Sequence, residues 1–258
     1  MNINKHCKNI SNNGYTIIEN FFSKKQLEKV KSSLLDMLNY IKFSKEKNLQ
    51  EKYYEIKKNY PKLKSNFYDL APHNIEMVKM IHSEKMINLV KKFFNTSVVL
   101  SGRPAIHIHD DSNDKLLMPH QETNQFAVDI LLFWLPLWDT NTKTGGLTIF
   151  EGSHKHGYFT HTLEHPELKN KAWTSKYTHV DKKIYKKFKK KNLKIKAGSA
   201  VIAHSALLHC GYPNKSKKTV RIVVTERFNP LKKIPFLKNP ESSKKIPYVG
   251  IDYNSIEI

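Results

Sequence analysis

The segment Pro119-His120-Gln121-Glu122-Thr123-Asn124 decides how the rest of this chain is interpreted. It precedes an apolar run, Ile130 to Leu137, which predicts a buried strand. Residues two apart in an extended strand point to the same face. His120 and Glu122 therefore aim an imidazole and a carboxylate at one point, and we predict that both bind a metal ion.

A second segment, from Ala200 to His209, is also strand-like and ends in a histidine. Two histidines and one carboxylate on one face of a metal leave three positions open, which is typical of non-heme Fe(II) oxygenases. We predict His120, Glu122 and His209 as metal ligands and catalytic residues. The alternatives are His204 as the distal ligand, or three unrelated polar residues in a jelly roll that binds a ligand without catalysis.

Composition limits the class of protein. The chain has 258 residues, 39% of them hydrophobic, which is enough for a packed core and which we interpret as a single domain over residues 1–258. Its two cysteines form no disulfide framework, and no apolar stretch is long enough to span a bilayer. We therefore expect a cytoplasmic protein without a membrane span.

The formal net charge of +21 raises the question of nucleic-acid binding. Nearly all of this charge is lysine, whereas arginine, present only at 103, 221 and 227, makes the bidentate contacts to phosphates and bases. We interpret the charge as a solvated basic surface. Nucleic acid is thus an unexpected partner, and a small, anionic substrate is favoured because a basic rim concentrates anions.

Periodicity divides the chain into helical and strand-like parts. Helical spacing predicts N-terminal helices over about 23–95, the first opened by a capping box of Ser23 and Gln26 and the last broken near Ser83. Short strands with Gly and Pro turns occupy about 97–228, interrupted by a Lys-rich surface insertion over about 155–192. We predict a mainly β fold with flanking helices (α+β) and a jelly-roll core.

Several segments together resemble the phytanoyl-CoA dioxygenase family of Fe(II)/2-oxoglutarate oxygenases. The resemblance covers about positions 13 to 228. It rests on four segments in the family's order: Asn13-Gly14-Tyr15 leading to Phe21-Phe22-Ser23, Pro119 to Glu122, Gly145-Gly146-Leu147 followed by Glu151 to Lys155, and His209 followed by Pro213-Asn214, Ser216 and Arg221.

The resemblance implies a double-stranded β-helix that holds Fe(II) through His120, Glu122 and His209. It also implies 2-oxoglutarate and O₂ as cosubstrates, with the far carboxylate of 2-oxoglutarate bound by Arg221. A guanidinium is permanently charged and offers a planar fork, so it suits this carboxylate better than an ammonium does. The implied reaction hydroxylates a C–H bond of a small metabolite and releases succinate and CO₂.

One departure from the family concerns the carboxylate ligand. The family usually has Asp where this chain has Glu122, whose extra methylene must be absorbed by a bent side chain or by a retreat of the strand. Our substrate-binding candidates lie on or beside the strands that lead to the metal: Arg103, His107, Gln121, Thr123 and Asn124.

Two alternative functions remain open. Arg221 and Arg227 form an Arg-x5-Arg pattern, found in oxygenases that demethylate nucleobases, so the substrate could be a nucleic acid or a protein. The second alternative is a non-catalytic jelly-roll binding protein with an altered His-x-Glu metal site.

Overall fold

Two antiparallel sheets and a layer of helices make up the computed structural model. It describes residues 1–41, 48–101, 104–112, 116–122, 130–162 and 179–230. Arg103, Thr123 and Asn124 lie outside the described residues. No helix in the described part of the chain is long and apolar enough to cross a membrane.

The N-terminal third of the chain is helical apart from one short strand. Its helices are α1 (Ile3–Asn13), α2 (Lys24–Ile41), α3 (Leu49–Asn59), α4 (Pro61–Leu70), α5 (Ile75–Ile81) and α6 (Glu84–Phe94). A further short helix, α7 (Lys182–Tyr185), lies in the C-terminal half.

The helix-start signals act as predicted. Ser23 and Gln26 form the capping box: the Gln26 amide donates to Ser23 Oγ at 3.2 Å, and the Ser23 amide donates to Gln26 Oε1 at 3.0 Å. The predicted break near Ser83 separates α5 from α6. Helix α1 was not predicted. Its caps are Asn2, whose side chain accepts from the Lys5 amide, and Gly14, whose φ of 82° a residue with a side chain rarely adopts.

Most strands lie where the sequence predicts them, but the predicted run from Ala200 to His209 is divided between two strands of different sheets. Three further short strands lie within the predicted Lys-rich insertion. The strands are β1 (Tyr15–Ile18), β2 (Val99–Ser101), β3 (Ala105–His109), β4 (Leu131–Pro136), β5 (Gly146–Phe150), β6 (His161–Thr162), β7 (His179–Val180), β8 (Lys190–Asn192), β9 (Ala200–His204), β10 (His209–Tyr212) and β11 (Arg221–Pro230). The larger sheet has the order β1-β9-β4-β11-β2, with β3 also paired to β11. The smaller sheet has the order β10-β5-β8, and β6 pairs with β7 alone.

The core is divided by these sheets. One apolar cluster joins the helices to the outer face of the larger sheet, through residues such as Leu34, Phe133 and Val224. A second cluster fills the space between the two sheets, where Leu132 of β4 and Ile149 of β5 meet. Strand β4 is buried along its whole length, because it is covered on both faces. The candidate metal ligands belong to the inter-sheet space.

Only part of the segment predicted as a Lys-rich surface insertion lies at the surface. Its lysines between 182 and 191 are exposed, as expected. However, residues 190–192 form β8 and pair with β5, so the end of the segment belongs to the smaller sheet. Val180 is also buried, in a small cluster with Phe150 and Leu208 on the outer face of that sheet.

Candidate metal centre

His120 and His209 face each other across an isolated antiparallel bridge. The His120 amide donates to the His209 carbonyl at 3.0 Å, and the His209 amide donates to the His120 carbonyl at 3.1 Å. The bridge places the two imidazole centroids 4.4 Å apart. Backbone pairing therefore brings together two histidines that are far apart in the sequence.

Both imidazoles are held in the tautomer that suits metal binding. His120 Nδ1 lies 2.7 Å from the Met118 carbonyl oxygen, and His209 Nδ1 lies 2.9 Å from that of Leu207. A carbonyl oxygen can only accept, so each Nδ1 carries a hydrogen, and in a neutral ring Nε2 then keeps the lone pair that binds a metal. Burial first, and the neighbouring His209 next, lower the pKa of His120 to about 3, so this ring is neutral at physiological pH.

Glu122 completes the cluster. Its amide donates to the Ser205 carbonyl at 3.1 Å, which fixes the backbone beside the segment that carries His209. Its Oε1 lies 3.2 Å from His209 Nε2 and 3.9 Å from His120 Nε2, and one potential ligand atom from each residue lies within 4.8 Å of the others. Neighbouring ligand atoms about 2.1 Å from a metal ion stand about 3 Å apart, so the three donors fit one ion with little movement.

The other side of the Glu122 carboxylate is bound by Arg227. Arg227 Nε donates to Oε2 at 2.8 Å and Nη2 donates to Oε1 at 3.4 Å, with both residues buried. Burial alone would raise the pKa of Glu122, but the charge of Arg227 outweighs it and holds this pKa well below its ordinary value. The carboxylate is therefore ionised, as a metal ligand must be.

Arg221 lies in the wall of the same cavity, at the start of β11. Its Nη1 donates to the carbonyls of Gly146 and Tyr212, at 3.1 and 3.0 Å. In the described part of the chain its Nε has no hydrogen-bond partner and no carboxylate lies within salt-bridge distance. Burial lowers the pKa of Arg221 only to about 10, so a buried cation without an acidic partner faces the cavity.

The remaining sequence candidates divide. His107 lines the cavity, and burial followed by the charge of Arg227 lowers its pKa to about 3. Gln121 is not among the described residues that line it. The predicted strand does not form at this segment, since His120 makes only an isolated bridge and Glu122 lies in a turn. The Gln121 side chain donates to the carbonyls of Gly157 and Ala206 and accepts from the Phe159 amide. Gln121 thus fastens three backbone segments together.

Sequence reasoning missed the contact between Arg227 and Glu122. The Arg-x5-Arg pattern put both arginines of β11 on one face, and that placement agrees with their shared cavity. It suggested that Arg227 meets a substrate, whereas the structure pairs it with Glu122. The extra methylene of Glu122 was the available signal, since it extends the carboxylate toward β11.

His204, the alternative distal ligand, is not in the cluster that the described residues form. Its Nδ1 accepts from the Ala206 amide at 3.1 Å, and its ring lies against Phe93.

A much larger groove, of about 980 Å³, runs beside α2 and α3, past Trp138. The described residues that line this groove include no histidine or cysteine, so it offers no comparable metal centre.

The family comparison agrees with this cluster. The family described as Phytanoyl-CoA dioxygenase (PhyH) matches residues 10–223, which include the three clustered side chains and Arg221. This chain belongs to the phytanoyl-CoA dioxygenase family. The resemblance found in the sequence is therefore confirmed.

Solved structures share the fold at low sequence identity. EctD from S. alaskensis, solved with 2-oxoglutarate and 5-hydroxyectoine, is 11% identical with a TM-score of 0.60, over 88% of this chain and 76% of that one. EvdO2 from Micromonospora carbonacea var. aurantiaca, complexed with 2-oxoglutarate, is 11% identical with a TM-score of 0.59, over 87% and 89%. The epimerase SnoN, solved with Fe³⁺, alpha-ketoglutarate and nogalamycin RO, is 12% identical with a TM-score of 0.52, over 88% and 83%. No curated protein matches the sequence.

Proposed function

We propose that this protein is an Fe(II)- and 2-oxoglutarate-dependent dioxygenase that hydroxylates a C–H bond of a small, anionic metabolite. The convergence of His120 Nε2, His209 Nε2 and Glu122 Oε1, all buried, is the observation that carries the proposal. Membership of the phytanoyl-CoA dioxygenase family supports it. We further propose that the two sheets form a double-stranded β-helix within a single domain.

The donor set fits the proposed metal. Two imidazoles and one carboxylate are the ligands of non-heme Fe(II) oxygenases, and three protein donors leave positions open for other ligands. When bound, iron would activate O₂ beside the 2-oxo acid, with oxidative decarboxylation of 2-oxoglutarate to succinate and CO₂. The chain's own tasks are to orient the ligands, bind the cosubstrate and exclude water.

Arg221 is the residue that we assign to the cosubstrate. It is a buried cation, and its Nε lacks a hydrogen-bond partner within the described residues. A carboxylate at this position would satisfy both the charge and the unpaired donor, and a guanidinium can bind it with two parallel hydrogen bonds. Gly145 lies close against this side chain: a Cβ there would stand 2.6 Å from Arg221 Nη1 and 2.6 Å from the Tyr212 carbonyl oxygen, so glycine is required.

The cavity beside the three candidate ligands is small for the proposed cosubstrate. It encloses about 50 Å³ in this arrangement, whereas pockets for small ligands hold roughly 300 Å³ or more. Binding of 2-oxoglutarate therefore requires that the lining side chains separate. His107, which lines the cavity, is our candidate for contact with the substrate, and Arg103, Thr123 and Asn124 keep that assignment as proposals from the sequence.

The two alternatives are weaker on specific grounds. The hypothesis of a nucleic-acid substrate requires that Arg227 binds the substrate, but the Arg227 guanidinium is already paired with Glu122. The hypothesis of a non-catalytic binding protein requires that Glu122 prevents metal binding, but Glu122 Oε1 lies beside both imidazoles.

Uncoupled turnover tests the proposal. Purified protein supplied with Fe(II), 2-oxoglutarate and O₂ should form succinate, and more of it when a pool of metabolites contains the substrate. The His209→Ala variant should form none. Absence of succinate from wild-type protein that has bound iron would support the non-catalytic binding protein instead.

A further inference from the structure

Arg227 contacts the Glu122 carboxylate, and the proposed reaction assigns no role to this contact. It binds the Glu122 carboxylate with two hydrogen bonds, the shorter one to Oε2 and the longer one to Oε1. Oε1 is the oxygen that lies nearest both imidazoles. Both oxygens therefore contact Arg227, but only Oε1 also lies within 4 Å of the imidazoles.

Arg227 is itself held firmly. Its Nη1 donates to Thr225 Oγ1 at 3.0 Å, and its amide donates to Glu226 Oε1 at 2.7 Å. It lies on β11, which is paired with β4 on one side and with β2 and β3 on the other. A guanidinium fixed in this way restricts rotation of the carboxylate that it binds.

We infer that Arg227 is a positioning residue that makes Glu122 bind the metal through Oε1 alone. This inference rests on the proposed function. Both oxygens could reach the ion only if Oε2 gave up its bond to Arg227 Nε, because that bond points Oε2 away from the imidazoles. Arg227 thereby sets the number of positions that the protein occupies on the metal.

That number decides whether the cosubstrate can bind. Three protein donors leave three positions of a six-coordinate ion, enough for two oxygens of 2-oxoglutarate and one further ligand. A chelating carboxylate would occupy one of those positions. Release of Glu122 from Arg227 is therefore expected to weaken 2-oxoglutarate binding without removing the metal.

The length of Glu122 is part of the same arrangement. Its side chain spans from the imidazoles to β11, and an Asp at this position would be about 1.5 Å shorter. An Asp could not reach both Arg227 and the point where the imidazoles converge without a shift of the backbone. The Glu and the Arg are matched in length, which explains why this chain tolerates a departure from the family's usual Asp.

Cobalt substitution tests the inference, since Co(II) reports its coordination in its visible absorption. Removal of Arg227 has opposite effects on metal affinity, because its charge repels a cation while its hydrogen bonds orient a ligand. Coordination geometry and cosubstrate affinity are therefore the measurements. Arg227→Lys and Arg227→Met would be compared with wild type in both measurements. Arg221→Met is a matched control for the metal spectrum alone, because it removes a buried Arg of the same strand that does not contact Glu122, whereas its own affinity for 2-oxoglutarate is expected to fall.

Arg227→Met should bind Co(II) with an altered visible spectrum and raise the Kd for 2-oxoglutarate about tenfold or more. Arg227→Lys should fall between it and wild type, because an ammonium keeps the charge and one donor. Arg221→Met should keep the wild-type Co(II) spectrum in the absence of 2-oxoglutarate. Circular dichroism would confirm folding, and Arg227→Lys decides the matter if Arg227→Met does not fold.

Two results would overturn the inference, and they are distinguishable. If wild type binds Co(II), His209→Ala does not, and the folded Arg227 variants match wild type in spectrum and cosubstrate affinity, Arg227 has no positioning role while the metal site stands. If wild-type protein binds no Co(II), the proposed function fails and the inference fails with it.

Discussion

His120 and His209 exchange two backbone hydrogen bonds, at 3.0 and 3.1 Å, at an isolated bridge between the two segments. The bridge fixes the separation of the imidazoles before any ion binds. Each ring is also locked by a carbonyl on its Nδ1. The metal therefore meets a preformed pair of Nε2 donors, and little ordering of these side chains is required on binding.

Shortening of the carboxylate ligand should weaken metal binding. We expect iron affinity to decrease in the order wild type, Glu122→Asp, Glu122→Gln. The Asp variant keeps the charge but loses its reach to either Arg227 or the imidazoles, and the Gln variant loses the charge that helps to hold Fe(II). Anaerobic Fe(II) titration of the three proteins measures this order, and equal affinities would show that Glu122 is not a ligand.

Replacement of Arg221 by Lys should weaken 2-oxoglutarate binding. A point charge replaces the planar fork, so at least one charge-assisted hydrogen bond is lost, and this costs about 1.5–3 kcal/mol, or roughly tenfold to a hundredfold in Kd. Calorimetry with metal-loaded protein would measure it. Metal affinity without 2-oxoglutarate is the internal control and should not change. Equal affinity of Arg221→Lys and wild type for 2-oxoglutarate would contradict the assignment.

Asp110 should contribute to stability away from the metal centre. It is buried and accepts hydrogen bonds from Tyr53, Lys64 and Ser112. Asp110→Asn is expected to lower the free energy of unfolding at pH 7 by about 2–3 kcal/mol, since charge-assisted bonds are lost. The matched control is Asp111→Asn, which removes a more exposed partner of Lys57 and should cost less than about 1 kcal/mol. Equal losses in urea unfolding would refute a special role for Asp110.

The Asp110 contribution should also depend on pH. Burial alone would raise its pKa, but hydrogen bonds from Ser112, Tyr53 and Lys64 outweigh it, so the pKa is lower in the folded state. A group of this kind stabilises the fold above its ordinary pKa, near 4, and loses that contribution as the pH falls through the folded value. The stability difference between wild type and Asp110→Asn should therefore be constant near neutrality and shrink below about pH 4.

The sequence predicted much of this fold because its elements carry local signals. The apolar run that forms β4 and the Ser23–Gln26 box of α2 are examples. Helix α1 was missed because its sequence is rich in Asn and Lys and buries one apolar residue, Ile10, so its pattern is weak. Residues 49–70 lie within the range predicted as helical, and they form α3 and α4.

Two features of the sequence made parts of the site predictable: the two-residue spacing of His120 and Glu122, and the order of the family's motifs along the chain. On an extended backbone the two-residue spacing puts His120 and Glu122 on one side and Gln121 on the other. Gln121 was nevertheless proposed to line the cavity, and it is not among the described residues that do so. The pairing of Glu122 with Arg227 joins residues 105 positions apart, and no local pattern encodes it. Tertiary contacts of this kind require the packed sheets.

The central claim is that His120, Glu122 and His209 form one metal site. A Co(II) titration measured by calorimetry tests this claim most directly. Wild-type protein and His204→Ala, the control that removes a histidine of the same segment, should each bind a single ion. His209→Ala and His120→Ala should bind none while remaining folded, because the bridge between the two residues is made by backbone hydrogen bonds that alanine retains. Retention of the ion by His209→Ala with its loss from His204→Ala, or no binding by wild-type protein, would contradict this account.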